Sequence, residues 1–249
     1  MGKRERLDKL LIARQLVTSR EEGRGKILAG EVLVNDQPVT KAGSLVEVGA
    51  DIRLKSKPSP YVSRGGAKLE KALREFGVDV EGKTVLDVGA STGGFTDCLL
   101  SFGARRIYAV DVGYGQLDWK LRNDPRVLVL EKTNVRYLKI EELPQPADLA
   151  TIDVSFISLR LVLPRVKNLL TAHGQVIALI KPQFEVGRGK VGKGGVVRSH
   201  EEHLRVVDEI KTASAALNFE AVNVVESPLL GPKGNREFFI HLKKNPEPC

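Results

Sequence analysis

The sequence is poor in cysteine: Cys98 and Cys249 are the two among 249 residues. One falls in an expected helix and the other is the last residue. Neither a structural disulfide nor a cysteine zinc site is therefore expected, no metal is called for, and a reducing, cytoplasmic setting is the expectation. Long apolar runs are also missing. Runs such as 176–180 fall far short of the ~20 residues that span a bilayer, so no integral membrane contact is expected. The opening residues, MGKRER, lack the apolar core of a signal peptide. No internal repeat is visible. Acids are outnumbered, with 39 Lys and Arg against 31 Asp and Glu and a formal net charge of +8. That balance points to a polyanionic partner, either nucleic acid or an anionic membrane surface. What is present, 42% hydrophobic and 28% charged residues, is the composition of a folded soluble chain.

Two segments of different character follow. In the first, Leu7, Leu10 and Leu11 share one helical face. Ser19 precedes two acids and reads as the cap of a helix over 20–28 that stops at Gly30. Short strand-like pieces follow at 32–35, 42–48 and 51–55, with a turn at 36–38. Arg4, Arg6, Lys9, Arg14, Arg20, Arg24 and Lys26 crowd this segment. They read either as a solvated basic face or as a nucleic-acid face. The strings RLDKLL at 6–11, SR at 19–20 and GEVLVN at 30–35 resemble the S4 RNA-binding domain. That resemblance implies that the seven basic residues face structured RNA. Residues 55–60, KSKPSP, have the composition of a linker. The expected division is 1–56 for the small α+β domain, 57–62 for the linker and 63–249 for the rest.

The second segment alternates strands and helices. Strands are expected at 83–88, 106–111, 128–131, 149–153 and 174–181, and helices at 95–102, 159–170 and 201–217. Two last strands are expected near 222–226 and 237–242. Alternation at this spacing predicts an α/β fold, a parallel sheet with helices on both faces. The DVGASTGG run at 87–94 sits where the first strand turns into a helix. Glycines there permit a tight turn, and a helix N-terminus offers free N–H groups. About 20 residues on, the second strand ends in Asp111, where a carboxylate can hold two ribose hydroxyls. Ser91 occupies the second glycine position of the dinucleotide fingerprint, and Asp87 suits a cationic ligand better than a pyrophosphate. The combination resembles the S-adenosylmethionine site of Rossmann-like methyltransferases. The resemblance implies that Asp87, Gly89, Ser91 and Gly93 frame the methionine part, that Asp111 binds the ribose, and that Asn134 lies near the adenine.

Four polar residues complete the pattern. Lys68 lies on the helix before the first strand, Asp153 and Lys181 end the fourth and fifth strands, and Glu237 opens the last. Ligands of open α/β sheets bind beyond the carboxyl ends of the strands. The set resembles the Lys–Asp–Lys–Glu tetrad of FtsJ-like ribose 2′-O-methyltransferases. A ribose hydroxyl must lose its proton as the methyl transfers, and a neutral lysine can take it. The resemblance implies Lys181 as base, Lys68 and Glu237 as its orienting partners, and Asp153 as the group positioning Lys181 and the hydroxyl. YVSRGGAKL at 61–69, DVSFIS at 153–158, KPQFEVG at 181–187 and the loop at 187–198 are similar to the TlyA, or hemolysin A, family across essentially the whole chain. That family joins an S4 domain to an FtsJ-like domain and methylates cytidine 2′-hydroxyls in ribosomal RNA. Ribosomal RNA or a ribosomal subunit is thus the implied partner. Tyr61 and the prolines before it depart from the tryptophan-bearing linker of some members.

Other readings carry less. Residues 187–193 nearly spell a P-loop, but Gly194 stands where Ser or Thr must meet magnesium. GASTG at 89–93 matches a hydrolase nucleophile elbow, with Asp153 and His241 following in hydrolase order, yet no oxyanion motif precedes it. His200 and His203 lack a third ligand. A membrane-lytic reading rests on the hemolysin label alone. An RNA-binding protein with a methyltransferase fold but no catalysis stays open as an alternative, with the intact tetrad arguing against it.

Overall fold

A computed structural model describes residues 4–54, 60–187, 191–192 and 194–246. Half of the expected linker (57–59 of 57–62), four residues of the 187–193 loop and Cys249 lie outside the described residues. The chain divides into two compact units, Met1–Ser59 and Pro60–Cys249.

In the smaller unit, β1 (Arg4–Arg6) leads directly into α1 (Leu7–Ala13), and α2 (Arg20–Leu28) follows. The i, i+3, i+4 spacing buries Leu7, Leu10 and Leu11 of α1 against Ile27 of α2. Ser19 caps α2, its Oγ accepting from the Glu22 N–H at 3.1 Å. The chain then forms β2 (Val32–Val34), β3 (Gln37–Pro38), β4 (Leu45–Glu47) and β5 (Ile52–Leu54). β2 pairs antiparallel with β3 and β5, and β1 pairs antiparallel with β4. Asn35 and Asp36 make the β2–β3 turn at positive φ. β1 is a strand that the residue pattern did not announce, because three residues carry no period.

In the larger unit, α3 (Arg64–Phe76) precedes β6 (Thr84–Val88), α4 (Gly94–Ser101), β7 (Arg106–Val110), α5 (Trp119–Arg122), β8 (Val127–Leu130) and β9 (Ala147–Ile152). Then come α6 (Leu159–Leu169), β10 (Leu170–Ile180), α7 (Pro182–Glu185), α8 (His200–Ala216), β11 (Phe219–Glu226) and β12 (Phe238–Lys244). The seven strands lie in the order β11-β12-β10-β9-β6-β7-β8. Successive residues of β6 point to opposite faces. Val85 packs with Leu69 and Leu73 of α3 and Phe95 and Leu99 of α4. Leu86 packs with Val162 and Val166 of α6 and Val206 and Ile210 of α8.

The expectation of a parallel sheet needs one correction. β12 runs antiparallel to both β10 and β11. A parallel return needs a crossover of a dozen or more residues, usually a helix, and the 227–237 segment between β11 and β12 holds no such helix, so the strand comes back reversed. β10 also begins at Leu170, ahead of the expected start, with a break in register between Leu170 and Gln175.

Candidate active site

The site is built where β6 and β9 end. Gly89 leaves β6 at φ +85°. A Cβ there would lie 2.4 Å from the Asp153 carbonyl oxygen, so glycine lets the turn pass against the end of β9. Gly93, at φ +94°, opens α4. Gly94 allows a second close approach: its Cβ would fall 2.1 Å from Ser63 Oγ and 3.0 Å from the Gly66 nitrogen. The N-termini of α3 and α4 thus meet backbone to backbone, which brings Lys68 of α3 beside the glycine turn.

Asp87 lies beneath that turn, fully buried. Its two oxygens accept from Thr96 Oγ1 at 2.6 Å and Thr151 Oγ1 at 2.9 Å. Burial pushes its carboxyl up to about 6, against the hydrogen bonds of the two threonines. Asp87 supports the turn from beneath and does not itself line either of the two cavities described below.

A cavity of about 780 Å³ opens over the ends of β6, β7 and β9. Val110, Val112, Val135 and Ile157 form its apolar part, and Asp111, Gln116, Asn134 and Ser155 its polar part. Asp111 Oδ2 accepts from the Ser91 N–H at 2.8 Å and Oδ1 from the Gly113 N–H at 2.7 Å. The carboxylate is thereby fixed across the glycine turn, with lone pairs left over. Asn134 Oδ1 accepts from Arg136 N and Nε at 3.1 and 3.2 Å. A second cavity of about 380 Å³ is lined by Ser63, Arg64, Lys68, Gly94, Leu230 and Lys233. The two share Gly89, Ser91 and Asp153.

The four tetrad residues form two ion pairs, in which Asp153 lines both cavities and Lys68 the smaller one. Lys181 Nζ lies 2.5 Å from Asp153 Oδ1 and donates to Ser155 Oγ at 3.0 Å. Lys68 Nζ donates to Glu237 Oε2 at 2.6 Å, and the Glu237 side chain is buried. Gln183, two residues past Lys181, reaches Glu237 Oε1 at 3.5 Å and so links the two halves. Sequence reasoning missed Ser155, Gln183, Arg64 and Lys233. The first three lie inside motifs it quoted, DVSFIS, KPQFEVG and YVSRGGAKL, and polar residues two to four positions from a tetrad member were the available signal. Phe156, 90% exposed at φ +63° and packed at 4.9 Å on Phe184, gave no signal beyond its place in the motif.

Other expected groupings are not brought together. Ser91 Oγ meets Gln116 at 3.4 Å. His241 lies buried within β12, bonded to Gln175 Oε1 at 2.8 Å and against the Phe76 ring. With Asp153 held by Lys181, no hydrolase triad forms. His203 is buried, its Nε2 3.0 Å from the Val197 carbonyl and its ring against Phe238.

The basic residues of the smaller unit divide. Arg6 and Arg20 both bond the buried Asp8. The Arg6 guanidinium, followed by that of Arg20, holds the Asp8 carboxyl far below the usual range. Arg14 donates to the Ala50 and Val48 carbonyls at 2.8 and 2.6 Å. Lys9 lies 3.7 Å from Glu5 and Lys26 3.5 Å from Glu31. Arg4 and Arg24 stand exposed with no ion pair among the described residues.

A glycine turn after the central strand, an acid at the end of the next strand and an antiparallel seventh strand inserted beside β10 define a Rossmann-like methyltransferase. The FtsJ-like methyltransferase family matches residues 61–244, and the S4 domain matches residues 5–52. The chain belongs to the FtsJ-like methyltransferase family and carries an S4 domain at its N-terminal side. It is 44% identical to the 16S/23S rRNA (cytidine-2′-O)-methyltransferase TlyA of Mycobacterium tuberculosis, over 98% of this chain and 91% of that protein. It is 41% identical to a Brachyspira hyodysenteriae protein named Hemolysin A, over 95% and 98% respectively. A solved structure from Streptococcus thermophilus, also described as a hemolysin, superposes with a TM-score of 0.78 at 42% identity, covering 100% of this chain and 91% of that one. No helix among the described residues is long and apolar enough to cross a membrane.

Proposed function

We propose that this protein methylates a ribose 2′-hydroxyl, that of a cytidine, in ribosomal RNA, with S-adenosylmethionine as donor. The observation that carries the reading is Lys181, held by Asp153, which lines both cavities, and by Ser155, which lines the larger one. The residues fit the cofactor. The larger cavity lies in the size range of ligand clefts. Asp111 has spare lone pairs for two ribose hydroxyls, Asn134 and the apolar wall suit an adenine, and the buried Asp87 carboxylate favours a positive charge above the turn. When bound, the cofactor supplies an electrophilic methyl on a cationic sulfur.

The rest is the work of this chain. Asp153 and Ser155 hold the Lys181 amine. In its neutral form that amine takes the proton of the target hydroxyl as the oxygen gains the methyl. Lys68, fixed by buried Glu237, lines the smaller cavity and with Glu237 orients Lys181, while Asp153 positions the hydroxyl. Alignment of oxygen, methyl and sulfur supplies the remainder of the rate. The TlyA name of a relative identical at 44% over most of both chains supports cytidine and ribosomal RNA. The S4 domain supplies the RNA-binding side of the reading.

Two variants separate the roles. Lys181→Ala lowers methyl transfer by about 10²–10⁴-fold and leaves cofactor affinity in place. Asp111→Ala weakens cofactor affinity, measured by calorimetry. Full transfer by Lys181→Ala removes the base from this assignment.

A further inference from the structure

We propose that Glu185 is a positioning residue for the transfer, acting through the 153–158 loop; this rests on the ribose-methylation reading above. Glu185 ends α7, four residues past Lys181, and is buried. Its Oε2 accepts from Ser158 Oγ at 2.5 Å and its Oε1 from the Leu159 N–H at 2.7 Å. The Arg160 guanidinium lies 3.8 Å from the carboxylate and donates to the Glu185 carbonyl at 3.3 Å.

These bonds exceed what helix capping needs. Ser158 already caps α6, accepting from the Arg160 N–H at 3.1 Å. A buried carboxylate carries a desolvation cost that a second cap does not justify, and burial pushes the Glu185 carboxyl up from its ordinary value. What Glu185 adds is a closed ring. Lys181 bonds Asp153 and Ser155 at the start of the loop. The loop ends at Ser158 and Leu159, which bond Glu185, and α7 returns the chain to Lys181. Phe156 within the same loop holds a positive φ against Phe184 of α7. A strained, exposed residue keeps such a conformation only when its surroundings fix it. The two segments are thus clamped at both ends, and the amine is aimed by the clamp.

The test uses the full chain, wild type and three variants: Glu185→Ala, Glu185→Gln and Ser158→Ala. Methyl transfer to unmodified ribosomal subunits, cofactor affinity and Tm are measured for each. Glu185→Ala is expected to lower kcat roughly 10- to 100-fold, the cost of a misplaced catalytic group, with KM for the cofactor within about threefold. Glu185→Gln keeps the shape and an acceptor and is expected to recover most of kcat. Ser158→Ala loosens one bond of the clamp and is expected to lower kcat by a smaller factor. It carries the test with Glu185→Gln if Glu185→Ala does not fold. Wild-type kcat in the folded Ala variants overturns the proposal, as does a loss confined to Tm and cofactor affinity. An inactive wild type would instead strike the ribose-methylation reading itself.

Discussion

Arg14 and Arg24 carry the same charge ten residues apart, and the fold gives them different work. The Arg14 guanidinium closes two backbone carbonyls, at Val48 and Ala50, while Arg24 stands exposed on α2. Arg14→Ala should therefore lower Tm modestly, because the half-buried Ala50 carbonyl and the exposed Val48 carbonyl lose their shared donor. Arg24→Ala should leave Tm in place, weaken RNA binding and reduce the slope of log affinity against log salt by about one. Equal salt slopes for the two variants would contradict this division. Buried titrating groups set the pH response. Burial, with Lys243 and Lys83 nearby, pushes His241 down to about 4. An unfolded imidazole binds its proton near 6.5, so this residue weakens folding as pH falls from about 6.5 towards 4. Asp87, raised to about 6 by burial, runs the other way. The folded state takes its proton first, and folding gains as pH falls from about 6 towards 4. His241→Gln leaves the Asp87 response alone. Its Tm should therefore improve relative to wild type as pH is lowered from 6.5 to 4.5, and parallel Tm curves would rule out His241 as the source.

At the scale of elements, the site depends on how closely α3 and α4 approach. A Cβ on Gly94 meets Ser63 and the Gly66 backbone, so the helices must separate to admit it. Gly94→Ala should cost about 1–3 kcal/mol of stability, read by urea unfolding, and should lower transfer by moving Lys68 and Glu237 relative to Lys181. A variant as stable and as active as wild type would show that the approach is not needed. The same elements show what a sequence reveals. The β6–turn–α4 unit, Asp111 and the tetrad positions were legible because local pattern and family resemblance mark them. The reversal of β12 was not, since strand direction is set by the connection and by partners far along the chain. Nor was the burial of Asp87: an acid before a glycine turn reads as a ligand group, and only the packed threonines of α4 and β9 show it satisfied from inside. Arg14 looked like part of a basic face because its carbonyl partners lie more than 30 residues away. Glu185 stood inside the quoted KPQFEVG string but no role could be read for it, because its meaning lies in bonds to a loop 26 residues earlier.

At the scale of the whole molecule, the net charge of +8 and the S4 domain suit a polyanion. The larger unit holds a cavity in the size range of ligand clefts, with Asp153 and Ser155 on its wall and Lys181 bonded to both. The account joins these into one activity on ribose. It is tested most directly by incubating the purified full chain with unmodified ribosomal subunits and S-adenosylmethionine labelled on its methyl group, then digesting the RNA with alkali. A 2′-O-methyl group blocks cleavage at its own position, so the account predicts label in an alkali-resistant dinucleotide that begins with cytidine. Label recovered in ordinary mononucleotides, or none at all from folded protein that binds the cofactor, would contradict it.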